Sequence, residues 1–384
     1  MSVTFPRGFR ASGVTAGLKA SGNPDLALVV NDGPSFAAAA VFTQNRVQAA
    51  PVQWSKAAAK SGTFAAVLLN SGGANACTGP AGLADTQTSA EHLAQLLGIA
   101  AGEVAVCSTG LIGKRLPMDK LISGTTAAHE SLGAAGGEDA AVAIMTTDTI
   151  AKTAQFAAAS GWRIGGMAKG AGMLAPGLAT MLVVITTDAD VEAAQLDATL
   201  RDATRTTFDR IDSDGCMSTN DTVLLLSSGA SSIKPDAQEF ADAVATVCAS
   251  LAEQLIGDAE GAMKDIKITV SGAATEEDAV QVARAVSRSN LFKCAIHGED
   301  PNWGRVLAAL GTTSAVFDPD QIDVDINQVA MCRGGAALDV EPVVDMADTQ
   351  VDVDINLNAG TAQATLWTND LTAMYVHENS VYST

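Results

Sequence analysis

Apolar residues in this chain come in short runs broken by Gly, Pro and Asn. Leu26–Asn31, Phe36–Thr43 and Phe64–Asn70 predict three strands, and Glu103–Ser108 and Met181–Thr186 predict two more. Between them the period changes. Asp85–Leu97 predicts a helix, with Thr88 and Glu91 at capping-box spacing and Leu93, Leu96 and Leu97 on one face. Pro235–Ile256 is the clearest helix, because Phe240, Val244, Val247, Cys248, Leu251 and Leu255 follow the i, i+4, i+7, i+8 rhythm. A further helix begins at Thr275, with three acids in its first turn to suit the dipole. The mixture is α/β or α+β and lacks the regular βαβ rhythm of a doubly wound sheet. Near the end, Gln321–Asn327 and Gln350–Asn356 share the pattern Q-(I/V)-D-V-D-I-N, which places Asp on one face of a strand and Val or Ile on the other. If the two strands pair, Asp323, Asp325, Asp352 and Asp354 gather near one another. That suggests either a site for a hard cation such as calcium or, more plainly, two wet strand faces. A second calcium-like stretch at Asp212–Gly215 fails, because Arg210 stands where the first ligand belongs.

Composition sharpens this outline. The chain has 384 residues, 47% hydrophobic, 17% charged and only 4% aromatic, with 35 glycines. An interior built from small side chains follows, in one large domain or two ordinary ones. The net charge of −20 argues against a nucleic-acid binder, which needs basic surface to displace counterions. Charge is uneven: residues 1–179 carry 12 basic and 10 acidic groups, and residues 180–384 carry 11 and 33. The cysteines Cys77, Cys107, Cys216, Cys248, Cys294 and Cys332 are scattered and form no CxxC pair, which predicts buried free thiols in a reducing compartment. His92, His129, His297 and His377 stand apart, so no zinc motif and no metal or other cofactor is expected. Neither a secretory leader nor a membrane-length apolar run is evident, so a cytoplasmic protein without membrane association is expected.

Gly165–Asp188, GGMAKGAGMLAPGLATMLVVITTD, is the informative stretch. Gly165 and Gly170 have phosphate-loop spacing, but Ala171-Gly172 replaces the lysine and hydroxyl that such a loop needs. Gly170–Ala175 fits GxGxxA loosely, yet Pro176 and Gly177 follow and then a strand, where a dinucleotide turn should open a helix. A third reading starts from Thr180, between the Gly/Pro loop and the strand. A threonine hydroxyl is a poor nucleophile without a base beside it. Cleavage just before Thr180 would supply that base as its own α-amine, whose reference pKa is about 8. Chemistry alone leaves this beside the ordinary reading of a strand-initiating threonine.

The residues around it carry a resemblance. MAKGAGMLAPGLATML is similar to the self-cleavage segment of the ornithine acetyltransferases, the glutamate N-acetyltransferases of the cyclic arginine pathway. The likeness includes PRGFRASGVTAGLK at Pro6–Lys19, DLALVV at Asp25–Val30, NSGGANACTG at Asn70–Gly79 and CSTGLIG at Cys107–Gly113. It continues through MTTDT at Met145–Thr149, STNDTV at Ser218–Val223, EDPNWGRVLAA at Glu299–Ala309 and YVHENSVYST at Tyr375–Thr384. The resemblance implies a layered α/β sandwich like that of the N-terminal-nucleophile hydrolases but with a different connection order. It also implies cleavage between Ala179 and Thr180 into an α chain of residues 1–179 and a β chain of residues 180–384, assembled as a heterotetramer.

The implied reaction moves the acetyl group of N2-acetylornithine to glutamate through an acetyl-threonine on Thr180. The oxyanion donors carried over are Thr109 and Gly110. The substrate contacts carried over are Thr146, Lys169, Thr180, Glu260, Asn379 and Thr384. Lys169 suits a substrate carboxylate and Glu260 an ornithine ammonium. Asn379 and Thr384 imply an ordered C-terminus. Acetyl-CoA is left open as a second donor. The chain departs from the family pattern at Met263, where a threonine is frequent, and at Gly177, where a serine or asparagine is frequent. Two other readings stay open: an N-terminal-nucleophile aminopeptidase or amidase with water as acceptor, and an uncut, non-enzymatic binding protein on the same fold.

Overall fold

The computed structural model describes residues 2–174, 181–340 and 342–381. They divide into two compact units. One comprises the described residues of Met1–Asp209 and Cys216–Asp258, the other those of Arg210–Gly215 and Ala259–Ser383.

The first unit is built on two sheets. Strands β1 (Phe9–Val14), β2 (Leu26–Asn31), β4 (Ala66–Ser71) and β5 (Val104–Thr109) form one, in the order β1-β2-β4-β5. Strands β3 (Ala38–Phe42), β6 (Lys152–Ala157), β7 (Arg163–Lys169), β8 (Leu182–Thr187) and β9 (Thr222–Ser227) form the other, in the order β3-β9-β8-β7-β6. Among the described residues of this unit only β4·β5 and β8·β9 pair in parallel, which agrees with the missing βαβ rhythm.

Period-2 alternation explains why the strands read as continuous apolar runs. In β2, Ala27 and Val29 join a core shared with Leu182, Val184, Leu224 and Leu226 of the second sheet. Leu26, Leu28 and Val30 face a different core, against Leu93 of helix α2 (Gly79–Leu97) and Leu121 of α3 (Met118–Glu130). The second sheet is backed by α5 (Ala193–Thr206) and α6 (Ala237–Ile256), where Phe240 packs its ring 5.7 Å from Trp162. The first unit is thus layered helix, sheet, sheet, helix, and the expected α/β sandwich is borne out.

Most elements lie within one or two residues of the sequence reading. The helix expected from Thr275 is α7 (Glu276–Ser287), and Thr275 caps it, its hydroxyl accepting from Asp278 N at 3.1 Å. The helix expected from Asp85 is a correction: α2 starts at Gly79, with Pro80 in its first turn. Thr88 therefore lies inside the helix, and Glu91 accepts from Gln87 at 2.8 Å rather than closing a capping box. The small residues Gly79, Ala81 and Gly82 carried no apolar period to reveal that first turn. A second correction concerns the thiols. All six cysteines are free, but Cys77, Cys216 and Cys294 are exposed.

The second unit holds a six-stranded sheet, in which β10 (Asp265–Ala273), β11 (Asp323–Ile326), β12 (Val329–Arg333), β13 (Ala336–Ala337), β14 (Gln350–Asn356) and β15 (Ala362–Asn369) run in the order β13-β12-β11-β14-β10-β15. One face buries Ile266, Ile268, Val324, Val351 and Val353 against Val282 and Val286 of α7. The two Asp-rich strands do pair, Asp325 opposite Asp354. They form no cation cage: Asp325 is held by Arg333, Asp323 accepts from Gly334 N at 3.0 Å, and no group of three metal-binding side chains occurs among the described residues. The polar face is the wet strand face.

Candidate active site

Lys169 ends β7 and is fully buried, because β7 lies inside its sheet between β6 and β8. Its ammonium donates to Thr146 Oγ1 at 2.7 Å and to Thr109 Oγ1 at 3.3 Å. Thr109 ends β5 in the other sheet of the same unit. Three residues expected at the site, Thr109, Thr146 and Lys169, are therefore brought together, two at strand ends and Thr146 in the bend that precedes β6.

A buried ammonium needs an anion. Asp148, two residues after Thr146, lies with Oδ2 3.7 Å from Lys169 Nζ, while its Oδ1 accepts from Lys152 Nζ at 2.7 Å and from Gly170 N at 2.6 Å. Lys152 is itself fully buried and reaches Asp258 at 2.5 Å. Burial alone would raise the Asp148 carboxyl. Lys169, Lys152 and the hydrogen bonds outweigh it and hold the group well below the usual carboxylate range. Asp148, Lys152 and Asp258 were not singled out from sequence. Asp148 lay inside the MTTDT string, but its pairing with Lys169 and the reach of Lys152 to Asp258 join residues with no shared period.

Gly110 follows Thr109 in a conformation that favours glycine, with φ of +124°. Thr109 O accepts from both Gly72 N and Gly73 N at 3.0 Å, which closes the turn. A Cβ on Gly110 would lie 2.6 Å from Gly73 N and 2.7 Å from Gly72 C, both backbone atoms that cannot swing away. Gly110→Ala should destabilise the protein by about 1–3 kcal/mol and lower turnover together with it. Thermal unfolding and steady-state kinetics on the same preparation check this, and an unchanged turnover number would show that the turn is not needed in this shape.

Thr180 and Ala179 lie outside the described residues, as does Thr384. The first described residue after Thr180 is Met181, whose N–H donates to Asp221 Oδ1 at 3.1 Å. Asp221 is completely buried, and burial pushes its carboxyl well above the usual range. The phosphate-loop reading loses its first glycine to β7, where a Cβ on Gly165 would meet Ser2 O at 2.1 Å.

Glu260 and Asn379 belong to the second unit. Glu260 is buried, in the turn that precedes β10. That turn is tied to the C-terminal helix α10 (Ala373–Val381): Thr372 Oγ1 donates to Gly261 O at 2.6 Å and accepts from Tyr375 N at 2.8 Å. Asp370 Oδ1 accepts from Met263 N and Lys264 N, both at 2.9 Å, and its Oδ2 meets His297 Nδ1 at 2.7 Å. The turn carrying Glu260 is thus fixed by side chains, not by a regular element. Asn379 is exposed on α10, with Nδ2 donating to Tyr375 O. Helix α10 runs to Val381, the last described residue, and Met263, one of the departures, is 63% exposed.

Lys169 thus places a buried cation beside the hydroxyls of Thr109 and Thr146 and next to the glycine turn at Gly110. The model of the ArgJ family matches residues 10–384. The arginine biosynthesis bifunctional protein ArgJ of Streptomyces coelicolor is 64% identical over 100% of both chains. The protein of that name from Mycobacterium tuberculosis is 55% identical, over 99% of this chain and 96% of its own. Among solved structures, ornithine acetyltransferase from Mycobacterium tuberculosis, complexed with ornithine, is 55% identical, with a TM-score of 0.46 over 47% of this chain and 96% of that one. This chain belongs to the ArgJ family.

No helix among the described residues is long and apolar enough to cross a membrane.

Proposed function

We propose that this protein is a glutamate N-acetyltransferase of arginine biosynthesis, moving the acetyl group of N2-acetylornithine to glutamate. The observation that carries the reading is the full-length likeness, at 64% identity, to a protein named for bifunctional arginine biosynthesis. That name also supports acetyl-CoA as a second acetyl donor. The enzyme acts in the cytoplasm as a heterotetramer of two α and two β chains.

The chain first cuts itself. The Thr180 hydroxyl attacks the Ala179 carbonyl, the peptide nitrogen leaves as an amine, and water hydrolyses the resulting ester. The new α-amine is the base that the hydroxyl lacked. Strand β7 would fall on one side of the cut and β8 on the other. Their antiparallel pairing, from Ile164 opposite Thr187 to Lys169 opposite Leu182, gives the two pieces a reason to stay together.

In the mature enzyme the Thr180 oxygen attacks the acetyl carbon of N2-acetylornithine. The C–N bond breaks, and the hydroxyl proton passes through the α-amine to the departing ornithine. The glutamate α-amine then attacks acetyl-Thr180. Its proton returns to the threonine oxygen, and N-acetylglutamate leaves. Thr109 and Gly110 stabilise the oxyanion of each tetrahedral intermediate. Lys169 takes a substrate carboxylate, with Thr146 beside it, and Glu260 takes the ornithine ammonium, with Asn379 and Thr384 as further contacts.

Initial rates with both substrates varied test this. Parallel double-reciprocal lines, with ornithine and N-acetylglutamate formed in equal amounts, are expected. Release of free acetate, at a rate indifferent to glutamate, would instead favour the aminopeptidase or amidase chemistry.

A further inference from the structure

The segment Ser218–Thr222, which leads into β9, holds two parts of the site that lie far apart in sequence. Asn220 donates both amide hydrogens to backbone carbonyls, Ala74 O at 2.7 Å and Ser108 O at 2.8 Å. Ser108 precedes Thr109, and Ala74 follows the Gly72-Gly73 pair that closes the turn at Thr109. The next side chain, Asp221, accepts Met181 N–H at 3.1 Å. The Met181 nitrogen is bonded covalently to the carbonyl carbon of residue 180. Asn220 grips the end of β5 and the loop after β4, in the four-stranded sheet, while Asp221 grips the head of β8 in the five-stranded one.

The segment is itself pinned. Thr43 Oγ1 donates to Ser218 O at 2.7 Å, Thr43 N donates to Asp221 O at 3.0 Å, and Asn220 N donates to Ser218 Oγ at 3.1 Å. Thr222 N donates to Met181 O at 3.2 Å, a second tie to the same residue. Both side chains are shielded from water, Asn220 at 3% exposure and Asp221 at 0%. Hydrogen bonds in such a place resist competition and hold distances well.

We propose that Asn220 and Asp221 are a positioning pair, which sets the separation between the Thr109–Gly110 turn and Met181, the residue joined by its peptide bond to Thr180, without touching substrate. The proposal rests on the reading of Thr180 as the nucleophile. Oxyanion donors act only within about 0.3 Å of their working distance, and a misplacement of about 1 Å costs about a hundredfold in rate. A pair that fixes this separation moves kcat and leaves the grip on ground-state substrate nearly intact. A merely structural pair would lower stability and expression, with the molecules that do fold turning over normally.

The test uses the full-length precursor and three variants. Each is followed by intact mass for cleavage before residue 180, and by kcat and KM for N2-acetylornithine on the cleaved, folded fraction. Asp221→Ala should slow cleavage and lower kcat by about a hundredfold, with KM within about threefold. Asp221→Asn keeps an acceptor for Met181 N–H and should restore cleavage and most of the rate. Asn220→Ser leaves Met181 anchored but frees the turn, so it should cleave normally and still lose kcat. It also carries the test if Asp221→Ala does not fold. Normal kcat in Asn220→Ser, or in a folded Asp221→Ala, would overturn the positioning role. If instead wild type is never cut before Thr180, the nucleophile reading fails first, and wild type and variants alike should remain single chains.

Discussion

Thr180→Ala should leave a single polypeptide of 39.0 kDa, where wild type separates under denaturing conditions into two pieces, one beginning Thr180-Met181-Leu182. The pieces of 179 and 205 residues should differ strongly in charge, net +2 against net −22, and so separate readily on ion exchange in urea. Without denaturant they should run as one particle, because β8 would be paired to β7 of the other piece along its length. Acetyl transfer by the variant should fall on the order of 10⁴-fold or more, since the substitution removes both the nucleophile and the means of forming its base. Intact mass with N-terminal sequencing decides the first part, and single-turnover labelling with an acetyl-labelled donor decides the second. Labelled protein in the Thr180→Ala variant, or an intact but fully active wild type, would move the nucleophile elsewhere.

The second large effect belongs to Asp148. It is the shared anion of two buried ammoniums, Lys169 and Lys152, and its removal leaves both with less compensation. Breaking a buried pair in this way costs about 3–5 kcal/mol. Asp148→Asn should therefore lower the urea midpoint at pH 7 markedly. The sign of its pH dependence follows from the depressed carboxyl. A group ionised more readily folded than unfolded adds stability that is fully present above its unfolded pKa, about 4, and is lost as pH falls toward the folded value. The gap between wild type and variant should be widest at neutral pH and shrink as the buffer is taken from pH 5 toward pH 2.5. A gap that stays constant over that range would mean that charge pairing is not what Asp148 contributes. Because Thr146 N also donates to Asp148 at 2.9 Å, the variant should disturb the residue beside Lys169 and raise the apparent KM as well.

Asp148 also shows where reading from sequence stops. Its neighbours Thr146 and Lys169 were legible through the strings MTTDT and MAKG, because resemblance attaches to local words. Asp148 and Lys152 are only four residues apart, but Asp148 also pairs with Lys169 and Lys152 reaches on to Asp258, and no period links those. The same holds for Asn220 and Asp221. STNDTV was visible as a word, but its two grips, on Ser108 and on Met181, exist only once two sheets are stacked. The start of α2 was hidden for a different reason: a first turn made of Gly, Pro and Ala gives hydrophobic periodicity nothing to act on. Exposure of Cys77, Cys216 and Cys294 was misjudged because cysteine's general preference for burial says nothing about a particular turn.

By itself the sequence determined what depends on neighbours along the chain. That covers the strands, through alternating or continuous apolar runs, the long helix Ala237–Ile256 through its 3.6-residue period, and the helix start at Thr275 through the three acids that follow it. It also determined the family, because several long and uncommon strings occur in order. Tertiary structure alone decided which strand ends meet and which charges are buried. It put Lys169 beside Thr109 and Thr146, set Asp148 between two lysines, and made Asn220 and Asp221 hold different sheets. The physical reason is range. Periodicity and capping act over one or two turns of chain. Pairing of buried charges and amides is set by whatever distant groups the stacked sheets leave without water, and each must find a partner there.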